Sequence, residues 1–372
     1  MSGCPSVYQI AFSALRGISI ESANEILSAI GSEEEFFRMS ARSLREYSGA
    51  DSRIFDDAYR AGLLESARRE RDFIKAKGVR AYYFRDDAFP ARFQTASDAP
   101  LLLYAVGDCD LNASKIVSVV GTRHATAYGI SLCRELVEEL KSGIGGDVVI
   151  VSGLAYGIDV ASHLAALEVG LSTVAVMAHG LDMIYPAQHR QTAADIVKHG
   201  GAIVTEYSSG TRVHRSNFLA RNRIIAALSD CTVVVESAVK GGALVTANIA
   251  SSYGRDVFAF PGRVGDEYSG GCNVLVRKNV AALITSADDL IEMMGWEKAC
   301  SAPVQQELFV ELDGDSRKVY DFMDGRDAVN VNEIGSAVKM PVHKLLSLLV
   351  DMEFKGLVQP LPGNRYKLVK KI

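Results

Sequence analysis

Residues 212–229, RVHRSNFLARNRIIAALS, place four arginines and a histidine directly ahead of an apolar run, and no acidic residue lies between Tyr207 and Asp230. Guanidinium groups are planar, permanently charged donors that match phosphate or carboxylate oxygens. The chain as a whole carries 45 Asp and Glu against 40 Lys and Arg, a formal net charge of −5. Contact with a polyanion must therefore be local. Ser216 or Asn217 is expected to cap a helix that begins near Phe218 and buries Ile224, Ile225 and Leu228. Arg221 shares that face one turn earlier, which puts it at the helix mouth, pointing across a crevice. Arg215 and Arg223 flank it, and Phe218 offers a ring on which a nucleobase can stack.

Three other stretches place small, permissive residues just after apolar strands: Gly121, Thr122 and Arg123; Ser152, Gly153 and Gly157; Gly241 and Gly242. Bare backbone N–H groups and helix N-termini at such turns hold anions. A glycine that only makes a tight turn is the competing account of each. Glu206 and Glu236 end neighbouring strands. They are expected to orient the guanidinium planes of Arg221 and Arg223 and leave the remaining donors for phosphate; the alternative is that they satisfy those arginines completely.

Other chemistry finds less support. Asp182, Tyr185 and His189 have no nucleophile with an obvious partner beside them and read as a structural turn. Asp159 reads as a first-turn helix acid. The seven histidines show no metal-ligand spacing, so no metal is expected. Neither G-x-G-x-x-G after a strand nor G-x-x-x-x-G-K-[ST] occurs, which argues against dinucleotide redox chemistry and P-loop hydrolysis. The six cysteines lack C-x-x-C pairing and read as free, buried thiols of a reducing cytoplasm. No apolar run reaches membrane-spanning length and the first residues lack a secretory pattern, so a cytoplasmic location away from membranes is expected.

Elements that must position these residues follow from periodicity. Strands are expected at 116–121, 148–152, 173–178, 202–205, 231–236, 256–260 and 281–285, with helices between the earlier ones, as at 126–142. Near-continuous apolar strands separated by helices imply an α/β fold with a doubly wound, mostly parallel, Rossmann-like sheet. Residues 1–75 read as a small helical domain, with Gly17 in a turn of helix-hairpin-helix type that could touch either protein or DNA. Residues 76–112 supply one edge of the sheet domain, which runs over 76–297. A linker is expected at 298–310 and a winged-helix-like domain at 311–372, whose ten acids and ten bases over 305–372 suit a docking or regulatory module as well as a DNA contact.

The blocks VVGTRHATAYG (119–129), VSGLAYGIDVASH (151–163), GLDMIYPAQH (180–189), FLARNRIIAALS (218–229), VVVESAVKGGALVTANIA (233–250), GRDVFAFPG (254–262) and SGGCNVLVRKNVAALI (269–284) together resemble the DNA-processing protein A (DprA/Smf) family. They cover most of residues 113–290 in the family's order. The resemblance implies a bacterial cytoplasmic protein that binds single-stranded DNA, protects incoming strands during natural transformation and loads the recombinase RecA onto them. It further implies a homodimer made through the α/β domain, with no catalytic activity and no cofactor. By the same resemblance, DNA contacts fall on Arg123, Arg215, Phe218, Arg221, Asn222 and Arg223. Three positions depart from the family's pattern: Leu219 replaces a usual proline, Ala187 a frequent basic residue and Asn279 a usual glycine. Two other readings stand beside this one. A nucleotide phosphoribohydrolase of related fold would need a helix glutamate that KGGALVTANIA lacks, and an interaction scaffold would leave the crevice empty.

Overall fold

The structure, a computed structural model, describes residues 4–48, 52–144, 148–298, 314–326, 328–354, 357–361 and 363–368. Contacts divide the chain into two compact units, residues 1–299 and 300–372. Of the expected linker, residues 299–310 lie outside the described residues, Cys300 among them.

The first unit opens with helices α1 (Val7–Ser13), α2 (Ile20–Ile30), α3 (Glu33–Arg38), α4 (Ala41–Ser48) and α5 (Asp57–Lys77). The chain then makes β1 (Arg80–Tyr83), β2 (Leu102–Gly107), β3 (Lys115–Val120), α6 (Ala127–Ile144), β4 (Val148–Ser152), α7 (Ile158–Val169) and β5 (Ser172–Val176). It continues through α8 (Arg190–Lys198), β6 (Ala202–Thr205), α9 (Arg215–Leu228), β7 (Cys231–Val234), α10 (Gly242–Ser252), β8 (Asp256–Ala259), α11 (Gly270–Arg277), β9 (Ala282–Leu283) and α12 (Ala287–Met293). Strands end up to two residues earlier than periodicity implied, because their last apolar residues already belong to the turns that leave the sheet.

Nine strands pair in the order β1-β2-β6-β5-β4-β3-β7-β8-β9. β2 is antiparallel to both β1 and β6, and the other pairings are parallel. Residues 76–112 thus do form an edge of the sheet. Alternation along β3 shows why both faces must be covered. Ile116 and Val120 join one core with Ile224, Ala247 and Ala250 of α9 and α10. Val117 and Val119 join another with Leu136, Leu140, Ile158 and Leu290 of α6, α7 and α12. Buried hydroxyls in the centre are paired: Ser118 Oγ lies 2.7 Å from Thr232 Oγ1.

The chain runs from β3 toward β6 on one side and then crosses back to place β7 on the other side of β3. The sheet therefore has its topological switch point between β3 and β7, where loops diverge and leave a crevice beyond the strand ends. The helices of the first 77 residues are not set apart. Ile10, Ala67 and Ile74 share a core with Ala81, Tyr83 and Tyr104 of β1 and β2.

Asn279 takes φ 55 just after α11, where its N–H donates to Val276 O at 3.0 Å. That left-handed conformation is nearly free of strain only for glycine and is tolerated by asparagine, so the departure from the family's glycine has a physical account. Asn279→Gly is expected to raise the unfolding free energy by roughly 0.5 to 1 kcal/mol. A urea midpoint that stays or falls would contradict this.

The second unit, taken by itself, contains α13 (Gly314–Met323), β10 (Val329–Asn330), α14 (Val331–Val338), α15 (Val342–Phe354), β11 (Val358–Leu361) and β12 (Arg365–Leu368). Its sheet order is β10-β12-β11, a small antiparallel wing on three helices around Val319, Ile334, Leu345 and Leu349. In sequence the wing reads as closed by Pro362, Gly363 and Asn364, of which Pro362 lies outside the described residues.

Candidate nucleic-acid interface

A cleft of about 620 Å³ opens at the switch point. Its walls are the turn after β3 (Gly121, Thr122, Arg123), the turn after β7 (Lys240, Gly241, Gly242) and the first turns of α9 (Arg215, Phe218, Arg221, Asn222). Nine of the residues singled out from sequence thus meet in one place. Ser152, Gly153, Gly157, Arg223, Glu206 and Glu236 do not line it.

Helix α9 begins at Arg215, three residues earlier than expected, with His214 as its cap. The Ser216 N–H donates to His214 Nδ1 at 3.3 Å, so Ser216 and Asn217 are helical and cap nothing. Leu219 is part of the reason. It keeps an amide hydrogen and has no ring, whereas proline there would disturb the turn before it. The loop that leads into α9 is held from two sides: Ser209 N and Oγ donate to Glu70 of α5 at 2.8 and 2.6 Å, and Gly210 N donates to Asp182 at 2.9 Å. The helices of the first 77 residues therefore help to place the arginine segment. Asp182 is a turn residue here, as expected.

The arginines do different jobs. Arg123 and Arg215 are exposed. Arg221 is only 4% exposed, and its Nη1 donates to Gly153 O at 2.6 Å and Val176 O at 2.5 Å. It was expected to reach into the crevice with donors to spare. It lies on the same face as Ile225, and that face is the core side, so its donors tie the ends of β4 and β5 together and only an edge of it forms the cleft floor. Burial lowers the Arg221 pKa from its ordinary value, and neighbouring Asp159 opposes that shift. Burial likewise raises the Asp159 carboxyl, with Arg221 the largest counterweight. Arg223 forms an ion pair with Glu206 on the far side of α9. Its Nη2 meets the carboxylate, while its Nη1 is buried without a partner and does not reach the cleft. Burial raises the Glu206 pKa against the pull of Arg223.

Glu236 orients no arginine. It accepts hydrogen bonds from Thr126 N and Oγ1 at 2.9 and 2.6 Å, at the start of α6. That carboxylate already occupies the N-terminus of α6 and complements its dipole, so that helix end offers nothing to phosphate.

Packing alone accounts for most of the glycines. A Cβ on Gly153 would sit 2.3 Å from Arg221 Nη1, and one on Gly157, which has φ +76, would sit 2.1 Å from Thr122 O. Gly121, Gly129 and Gly241 are equally crowded, whereas Gly242 faces open space. Helix α10, which Gly242 begins, has no side-chain cap. Its first turn is the helix N-terminus that remains for an anion, with exposed Lys240 just before it. Ser152 is buried and donates to Val119 O at 2.7 Å, which makes it a strand-to-strand tie.

Phe218 is half-buried. The Arg123 guanidinium lies 5.2 Å from its ring centre and that of Arg221 5.9 Å away. The sequence reading missed Lys240, His214 and Glu70. A lysine next to a glycine pair was a visible signal for the first; nothing local marks the other two. Cys109, Cys133, Cys231 and Cys272 are buried free thiols, but Cys4 is exposed because it precedes the first helix. Among the described residues no group of three His, Cys, Asp or Glu could hold a metal, and no helix is long and apolar enough to cross a membrane.

Comparison with known proteins agrees with this geometry. Residues 80–295 match the family model for DNA recombination-mediator protein A, and residues 305–364 match that for the DprA winged helix domain. The chain is 36% identical over 322 residues to a putative DNA processing protein DprA of Mycobacterium tuberculosis, covering 82% of this chain and 81% of that protein. It is similar to the X-ray structure of DNA processing protein A from Streptococcus pneumoniae, with TM-score 0.62, 29% identity and coverage of 77% and 98% of the two chains. It also resembles DNA processing protein A from Helicobacter pylori, described for its single-stranded DNA binding mode, with TM-score 0.52, 30% identity and coverage of 58% and 95%. A doubly wound sheet with its cleft at the switch point, a winged-helix unit and matches over both place this chain in the DNA-processing protein A (DprA/Smf) family.

Proposed function

We propose that this protein binds single-stranded DNA in the switch-point cleft, in the cytoplasm and without chemical turnover. The observation that carries the reading is the local charge. In a chain of net charge −5, Arg123, Arg215 and Lys240 converge with the uncapped N-terminus of α10 on one opening. That combination suits the phosphates of a flexible strand. The Helicobacter relative's single-strand binding supports it. Protection of incoming strands, loading of RecA and a homodimer made through the α/β domain complete the proposal by family likeness.

The test is fluorescence anisotropy of the full chain with single- and double-stranded oligonucleotides over a salt series. Single strands are expected to bind more tightly, with log K falling against log salt at roughly −0.7 per neutralised phosphate. Salt-independent affinity would contradict the mechanism. The phosphoribohydrolase reading has nothing to recommend it at α10, whose sequence GALVTANIASS holds no carboxylate.

A further inference from the structure

Arg123 lines not one hollow but three. A narrow crevice of about 30 Å³ shares Arg123, Ala155 and Phe218 with the main cleft, and Gly153, Tyr156, Tyr185 and Pro186 close it. A broader hollow of about 490 Å³ shares Arg123 and Tyr156 and continues between Ile130 of α6 and Leu164 of α7. The cleft therefore has a continuation over the turns after β4 and β5, and tyrosine rings mark it.

Those rings are exposed and yet held in place. Tyr185 is 43% exposed and Tyr156 42%. Aromatic rings bury well, and a solvated ring that is nevertheless held in place is suited to a partner. Tyr156 Oη donates to Gln188 Oε1 at 2.8 Å, and its ring meets His189 edge-on with centroids 5.0 Å apart. His189 is itself buried, with Nδ1 2.8 Å from Leu154 O. Tyr185 leans on Phe218 with centroids 6.0 Å apart. Phe218, by contrast, already has two guanidinium groups near its ring.

We infer that Tyr156 and Tyr185 form a stacking platform for unpaired nucleobases of the strand whose phosphates rest on Arg123. This rests on the single-strand reading above and deepens it. The stacking expected of Phe218 passes to the two tyrosines, and Phe218 becomes the prop that holds Arg123 and Tyr185. Every base has a π-face, so the platform is tolerant of sequence. Bases inside a duplex have both faces covered, so a duplex can use the cationic cleft but not the platform. The tyrosines are thus specificity determinants for single over double strands, while Arg123, Arg215 and Lys240 supply charge to both.

The experiment compares the full-length protein with its Tyr156→Ala/Tyr185→Ala and Tyr156→Phe/Tyr185→Phe variants. The probes are a labelled oligo-dT strand, an abasic strand of the same length and a duplex. The alanine pair should lose roughly 5- to 150-fold in affinity for oligo-dT for each base that stacks. Its salt slope and its affinity for the abasic strand and the duplex should not change, and the phenylalanine pair should keep oligo-dT affinity. The unsubstituted protein should itself prefer oligo-dT to the abasic strand by the same factor, a result independent of how the variants fold. Equal affinity of the unsubstituted protein for intact and abasic strands overturns the platform and leaves the cleft standing. So does an alanine pair that binds oligo-dT normally, or one that loses both strands alike while folded. A protein that binds neither strand overturns the single-strand reading and the platform with it.

Discussion

Arg123→Ala is expected to weaken oligo-dT binding roughly 10- to 150-fold, the value of a charge-assisted hydrogen bond at about 1.5 to 3 kcal/mol. The salt slope should become shallower by about 0.7, one phosphate's share for a single strand. Thermal stability should stay within about 0.5 kcal/mol of the parent, because the residue is exposed and makes no contact on which the core depends. Arg123 owes its leverage to position: it follows the central strand β3 at the switch point and borders the cleft and both adjoining hollows. Anisotropy at two salt concentrations together with a melting curve decides the matter. Unchanged affinity and slope would mean that the cleft is not where DNA binds.

Arg221→Ala is expected to act the other way round, through stability. Its Nη1 serves the carbonyls of Gly153 and Val176, and it offsets the buried Asp159. Removing it leaves two buried carbonyls without their donor, a loss of roughly 1 to 3 kcal/mol for each, and takes away the largest counterweight to the buried Asp159 carboxyl. Gly153→Ala should reproduce part of the effect, since the new Cβ would fall 2.3 Å from Arg221 Nη1 and push the guanidinium out. Urea unfolding measures both. DNA binding should fail in Arg221→Ala only to the extent that folding fails. A variant of normal stability that no longer binds DNA would show Arg221 to be a phosphate ligand and not a clamp.

These two residues show how far a sequence can be read here. Arg123 and Arg221 look alike as candidates: each is an arginine beside a helix start in an acid-poor stretch. Arg221 shares a helical face with Ile225 and Leu228, and that periodicity already pointed inward. A buried arginine is affordable only where fixed carbonyls meet it, and carbonyls from two separate strand ends cannot be seen in one linear stretch.

The sequence by itself determined the class of fold, because near-continuous apolar strands can be satisfied only by a sheet covered on both faces. It also determined that positive charge concentrates in one segment, and the quoted blocks were enough to indicate the family. Tertiary structure decided which groups share a site. The crossover that sets β7 beside β3 brings Lys240 and α10 to Arg123, turns Glu236 to α6 and gives Glu206 to Arg223. It also decided the meaning of the glycines, several of which are small because an atom distant in sequence fills the space a side chain would need. Helix and strand periodicity act over neighbouring residues and can be read locally. Proximity across a switch point depends on the path of the whole chain, and only the folded molecule contains it.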